Sequence, residues 1–117
     1  MEKIKVMVAE DDLTMVSLLN TLLKMEGFDV IALDTDNDIV KSVVDACPDV
    51  LLMDVHLSNQ NGLDVLDSIR GLKDSCAPRV IMTSGLNVKE ACLQRGADGF
   101  LLKPFMPDDL IRMLKGI

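Results

Sequence analysis

The chain has 117 residues, of which 49% are hydrophobic and 26% charged, so it fits a single globular domain able to bury a core. Its net charge of −7, with no Trp, no Tyr and three Phe, argues against direct binding of nucleic acid, which needs clustered cations and stacking platforms. No apolar stretch approaches the length of a membrane span, and Met1–Lys5 lacks the apolar segment of a signal peptide, so a cytoplasmic location without membrane contact is expected.

In chain order, Ile4–Ala9 reads as a strand that is apolar nearly throughout. Leu13–Met25 follows as a helix, with Val16, Leu19, Leu22 and Leu23 at helical spacing and Gly27 as its stop. Asp29–Leu33 is a second strand. Asp36–Ala46 is a helix with Ile39, Val43 and Val44 on one side, ended by Pro48. Val50–Met53 is a third strand, again wholly apolar, and Leu63–Leu72 a helix carrying Val65, Leu66 and Ile69. Arg79–Thr83 is the fourth strand, and Val88–Arg95 a short helix stopped by Gly96. Gly99–Leu102 is the fifth strand. Pro107–Lys115 closes the series, with Pro in its first turn followed by Asp108 and Asp109, which favour a helix N-terminus. Cys47, Cys76 and Cys92 are odd in number and widely spaced; no metal-type pair is formed, and reduced thiols in or near the core are expected.

The βα alternation, repeated five times, predicts a parallel sheet with right-handed crossovers and helices on both faces. In such sheets ligands bind beyond the carboxyl ends of the strands. The polar clusters lie there: Glu10-Asp11-Asp12, Asp54, Thr83-Ser84-Gly85 and Lys103-Pro104-Phe105. Carboxylates crowded at one spot repel by roughly 4 kcal/mol per pair about 4 Å apart at an effective dielectric of about 20. A retained proton or a cation relieves this, and hard oxygen ligands with room for water suit Mg²⁺, with Mn²⁺ as an alternative. Asp12, by itself, equally suits a helix cap.

Taken together, Val8-Ala9-Glu10-Asp11-Asp12, Leu51-Leu52-Met53-Asp54-Val55-His56-Leu57, Asn61-Gly62-Leu63, Met82-Thr83-Ser84-Gly85, Gly96-Ala97-Asp98-Gly99-Phe100 and Lys103-Pro104-Phe105 resemble the receiver domain of two-component response regulators, of the chemotaxis-regulator kind. The resemblance covers essentially the whole chain. It implies an α/β, doubly wound (βα)5 flavodoxin-like three-layer sandwich over residues 1–117, with five parallel strands in the order 2-1-3-4-5. It implies that Asp54 accepts a phosphoryl group, that Asp11 and Asp54 bind Mg²⁺ directly with the His56 backbone carbonyl as a third ligand, and that Glu10 acts mainly through water. Ser84, which lies 30 residues after Asp54, and Lys103 would bind the phosphoryl group. Phe100 would be the aromatic switch, and Lys103–Pro104 a cis bond. The implied partners are a sensor histidine kinase or a histidine phosphotransfer protein upstream, and a protein target or fused output domain downstream. A weak or phosphorylation-dependent homodimer is a further expectation. Such a protein is not a conventional enzyme; it catalyses its own phosphorylation and slow dephosphorylation.

Two departures carry expectations. Ser58 stands where the family often has Pro and should loosen the loop after Asp54. The interval from Ser84 to Lys103 is 19 residues, short for the family, so the fourth helix or its loop should lack roughly one turn. Leu86 and His56, two residues beyond Ser84 and Asp54, imply a phosphorylated lifetime longer than minutes. Rival chemistries fit less well. A haloacid-dehalogenase-type phosphotransferase needs a second Asp two residues after its nucleophile, where this chain has His56, and a nucleotide-binding domain needs a Gly-rich phosphate loop that is absent. A degenerate receiver used only for protein binding is the remaining alternative. The sequence leaves open whether the chain acts alone, relays a phosphoryl group or belongs to a longer protein.

Overall fold

Alternating side chains of five strands build both halves of the core. In the computed structural model, which describes residues 3–72 and 76–116, the strands are β1 (Lys5–Ala9), β2 (Asp29–Ala32), β3 (Val50–Asp54), β4 (Arg79–Ser84) and β5 (Gly99–Leu102). They pair in parallel in the order β2-β1-β3-β4-β5. Residues 1, 2, 73–75 and 117 of the expected domain lie outside the described residues.

On one face, Met7, Leu51, Met53 and Met82 pack with Ile39, Val43, Leu66 and Ile69. These come from α2 (Ile39–Ala46) and α3 (Gly62–Arg70), and Cys92 of α4 (Lys89–Gln94) joins them. On the other face Val6, Val8, Leu52 and Ile81 pack with Leu19 and Leu23 of α1 (Leu13–Met25) and Leu110 and Leu114 of α5 (Pro107–Lys115). The period-2 alternation of a strand covered on both sides is what makes β1, β3 and β4 apolar nearly throughout. The three-layer, doubly wound architecture and its strand order agree with expectation.

Helix ends follow local chemistry. Asp12 caps α1, accepting hydrogen bonds from the Thr14 and Met15 amides at 3.0 and 3.2 Å. Gly27, at φ +92°, ends the helix, and the Phe28 amide reaches back to the Leu23 carbonyl at 3.0 Å, closing a Schellman-type turn. The second helix starts at Ile39 rather than Asp36. Asp34 holds a turn by accepting from the Asp36 amide, and Asp38 is the cap, accepting from the Lys41 amide. The fourth helix is only six residues long, as the short interval before Lys103 requires, and no side chain caps it at Val88.

The cysteines depart from expectation. Cys47, the left-handed C-cap of α2 at φ 49°, faces the segment before β4, and there it is joined to Cys76 in a disulfide with a Cα–Cα distance of 5.4 Å. The thiol of Cys92 is free and buried, and burial pushes its pKa up. The reduced state expected for all three therefore holds for Cys92 alone. Among the described residues no helix is long and apolar enough to cross a membrane.

Candidate functional site

The carboxyl edge of the sheet brings Glu10, Asp54 and Lys103 together from β1, β3 and β5. The Lys103 ammonium donates to Glu10 Oε2 and to Asp54 Oδ2, each at 2.6 Å. The two carboxylates are nearly buried and the Lys103 side chain is 20% exposed, so this is a bridged charge cluster rather than a surface ion pair. Burial pulls the lysine pKa down, but the hydrogen bonds to Asp54 and Glu10, with the charges of both, outweigh it and hold the ammonium above its ordinary value.

Each carboxylate is oriented by one further bond. The His56 amide donates to Asp54 Oδ1 at 3.0 Å, and the Asp12 amide donates to Glu10 Oε1 at 3.1 Å. The His56 side chain itself is exposed. Gly62 supports Asp54 from behind. A Cβ there would collide with the Asp54 carbonyl oxygen and approach Val55 Cα at 2.8 Å, and the Gly62 amide already donates to the Val55 carbonyl at 2.8 Å.

Asp11 stands apart from that cluster. Its Oδ2 accepts from the Ser58 amide at 2.6 Å and from the Ser58 hydroxyl at 2.7 Å, and its Oδ1 accepts from the Thr35 hydroxyl. The Thr35 bond first, then those of Ser58, lower the Asp11 pKa against the opposing effect of burial. Ser58, expected to loosen the loop after Asp54 as a residue replacing Pro, contributes two donors there. They tie that loop to Asp11. Gln60 adds bonds to the Thr35 and Asn37 carbonyls at 2.9 and 2.8 Å, and the Asn59 amide group donates to Asp36. The residues after β3 are thus fastened to those after β2, across Asp11.

Ser84 and Thr83 are buried at the end of β4; the Ser84 hydroxyl accepts from the Leu86 amide at 3.0 Å, and its carbonyl accepts from the Lys103 amide at 2.8 Å. Leu86 is 62% exposed. Lys103–Pro104 is cis. Phe100 is half-buried against the core layer of α2 and α3. Asp12 is a helix cap, and Gly85 has open space around its Cα.

Arg70 and Asp98 were not singled out by the sequence beyond a motif match. The Arg70 guanidinium donates to the Gly96 and Pro78 carbonyls and to Asp98, which also accepts from the Val80 amide at 2.8 Å. This network locks the C-terminal end of α3 to the turn before β5.

A metal-ion site is a matter of donor chemistry and of grouping. Asp11, Asp54, Glu10 and the His56 carbonyl offer hard oxygen ligands, and Glu10 and Asp54 share a single ammonium, a donor set that suits a hard divalent cation. A cleft of about 560 Å³, lined by Glu10, Asp11, Asp34, Asp36 and Ser58 among others, opens this edge to solvent. The grouping is incomplete: among the described residues no three acids, histidines or cysteines are gathered to hold an ion, because Asp11 is drawn toward Ser58 and Thr35.

The sheet order and this edge define the doubly wound class in which strand ends carry the chemistry. The family model described as the response regulator receiver domain matches residues 6–115, and the chain belongs to that family. It is 34% identical over 115 residues to the transcriptional regulatory protein CpxR of Escherichia coli, covering 97% of this chain and 48% of CpxR. It is 30% identical over 113 residues to the DNA-binding response regulator MtrA of Mycobacterium tuberculosis, covering 95% and 49%. The chain therefore spans about half the length of these relatives. Among solved structures, the receiver domain of the Francisella response regulator 1452 superposes with a TM-score of 0.84 at 29% identity, over 95% of this chain and 93% of that one.

Proposed function

We propose that this two-component receiver accepts a phosphoryl group on Asp54 from a phosphohistidine of a sensor histidine kinase or phosphotransfer protein, or from a small phosphodonor. The observation that carries the proposal is the single ammonium of Lys103 bridging Glu10 and Asp54, with the other Asp54 oxygen fixed by the His56 amide. A carboxylate oriented from both sides at a strand tip is set for in-line attack. One Asp54 oxygen bonds to phosphorus; with a phosphohistidine donor the P–N bond breaks and the departing imidazole nitrogen takes up a proton, and with acetyl phosphate the P–O bond breaks and acetate leaves. Lys103 then exchanges its contact with Asp54 for the phosphoryl oxygens.

Asp11, Asp54, the His56 carbonyl and, through water, Glu10 are the groups proposed to hold Mg²⁺ or Mn²⁺. When bound, the cation supplies neutralisation of phosphoryl charge. Ser84 is proposed to give up its bond from the Leu86 amide and donate its hydroxyl to the phosphoryl group. Phe100 then packs inward, changing the surface of α4, β5 and α5. That surface would engage a downstream protein, a fused output domain or, weakly, a second copy. We further propose that residues 1–117 form one receiver unit that works in the cytoplasm. At a net charge of −7 this unit itself makes no nucleic-acid contact, so the DNA binding named for MtrA would belong to other parts of such proteins.

Intact mass after incubation with acetyl phosphate or phosphoramidate, with and without Mg²⁺, tests this directly. The expected result is a Mg²⁺-dependent gain of one phosphoryl group that Asp54→Asn abolishes. No gain in the wild type with any donor would assign the chain to a receiver that only binds partners.

A further inference from the structure

We propose that Ser58 and Thr35 form a latch on Asp11 that sets how readily the site takes up its divalent cation. The inference rests on the metal role given to Asp11 above and adds a control that the sequence does not reveal. Asp11 follows β1, which lies between β2 and β3 in the sheet, so the loops after both neighbours flank it. Both of its carboxylate oxygens are occupied by hydroxyl and amide donors, two from Ser58 and one from Thr35.

These donors are neutral, so they occupy three of the roughly four lone-pair sites of Asp11 without neutralising its charge. Oδ2 carries both Ser58 donors, so a cation that takes it must displace one of them, and at Oδ1 a cation competes with the Thr35 hydroxyl for the charge of that oxygen. The displacement is resisted because both donor residues sit on loops fastened to each other independently of Asp11. Gln60 holds the Thr35 and Asn37 carbonyls, and Asn59 holds Asp36. The residue type at 58 is decisive. Proline there would have neither the amide hydrogen nor the hydroxyl, and Asp11 would keep only its Thr35 bond.

The latch therefore makes cation uptake weaker than the donor set allows, and it couples occupancy to the loops after β2 and β3. Cation entry frees Ser58 and Thr35; latch closure returns Asp11 to them. Ser58 and Thr35 are positioning residues acting through Asp11.

The test is an NMR titration of the whole chain with MgCl₂ at constant ionic strength, reading the amides of residues 9–12, 54–59 and 83–86. Ser58→Ala, Ser58→Pro and Thr35→Val are compared with wild type. Asn59→Ala loses a loop–loop bond that does not touch Asp11, and Asp11→Asn removes the ligand itself. Losing a hydrogen bond to a charged group is worth on the order of tenfold in an equilibrium constant. Thr35→Val and Ser58→Ala, which each lose one bond, are accordingly expected to tighten Mg²⁺ binding by about that factor, and Ser58→Pro, which loses two, by more. Asn59→Ala, which loosens the loop pair without touching Asp11, is expected to tighten binding by a smaller factor than Thr35→Val, and Asp11→Asn to lose binding. If Ser58→Pro does not fold, Ser58→Ala and Thr35→Val decide alone. Wild-type or weaker affinity in both, with binding still lost in Asp11→Asn, overturns the latch and leaves the metal role standing. Absence of Mg²⁺-dependent shifts in the wild type and in every variant overturns the metal role and the latch together.

Discussion

Replacing Lys103 by Met removes the only cation that, among the described residues, the structure places on Glu10 and Asp54, while keeping a side chain of similar length. Each contact is 2.6 Å. At an effective dielectric of about 20, a unit charge pair at that distance is worth roughly 6 kcal/mol before the loss of hydration is counted. Desolvation offsets much of this, and breaking one partner out of a buried pair costs about 3–5 kcal/mol in practice. With the lysine side chain 20% exposed, water can partly replace it, so a loss of about 3 kcal/mol is expected, toward the lower end of that range. The chain has no Trp or Tyr, so urea unfolding is best followed by far-UV circular dichroism. The same substitution in an Asp54→Asn, Glu10→Gln background should cost about 1 kcal/mol or less, because the uncompensated charges are gone. An equal loss in both backgrounds would show that Lys103 stabilises through packing of its stem. A loss under about 1 kcal/mol in the wild-type background would refute the bridged-cluster argument itself.

Gly62→Ala places a methyl group against backbone atoms of Asp54 and Val55 that cannot turn aside. A destabilisation of about 1–3 kcal/mol is expected, with slower phosphorylation from acetyl phosphate; Gly71→Ala should be close to neutral in the same melts, since its Cβ would meet the Asp67 and Ser68 carbonyls at 3.5 and 3.6 Å, ordinary contact distances. The pH profile of stability has two sensitive windows. Asp11 has a folded pKa below the ordinary 3.8, so its contribution is present above that value and is lost as acid carries pH down through the folded value. Lys103 has a folded pKa above 10.5, so its contribution is complete below that value and fades as pH rises through the folded one. Thr35→Val should flatten the acid limb and leave the alkaline limb unchanged in urea melts taken across pH.

The centre of the sheet was legible because β1, β3 and β4 are buried on both faces, so burial and apolar sequence coincide nearly residue by residue, as in Val50–Met53. The acids, Ser84 and Lys103 were legible because polar groups at the ends of such strands need a reason to be there. Hydrogen-bond partners of loop residues were not. Ser58 was judged by what it lacks, the rigidity of proline, whereas its effect comes from two donors whose acceptor lies 47 residues away in the chain. Arg70 was hidden for the same cause: its acceptors on Gly96, Pro78 and Asp98 are neighbours only once α3 packs beside β4 and β5. The start of α2 was misjudged by three residues because Asp36 and Asp38 are both acceptable caps and only one amide pattern can close.

The cysteines show the same limit and allow a sharp test. Spacing could not pair Cys47 with Cys76, 29 residues apart, because the pairing depends on the left-handed turn that ends α2. Closing a loop of that length stabilises by about 3–4 kcal/mol if the effect lies in the unfolded chain. The bond lies near the amino ends of β3 and β4, at the opposite edge of the sheet from Asp54. Reduction should therefore lower stability without changing the chemistry at the other edge. Urea melts with and without reductant should differ by about 3–4 kcal/mol in the wild type and not at all in Cys76→Ser, while phosphoryl uptake from acetyl phosphate stays the same in both redox states. A reductant effect that persists in Cys76→Ser would trace to the thiols that remain, the exposed Cys47 released by the substitution or the buried Cys92 of α4. A change in phosphoryl uptake would mean that the two edges of the sheet are mechanically coupled. In a reducing cytoplasm the open form would predominate, and the protein would then work with the smaller of the two stabilities.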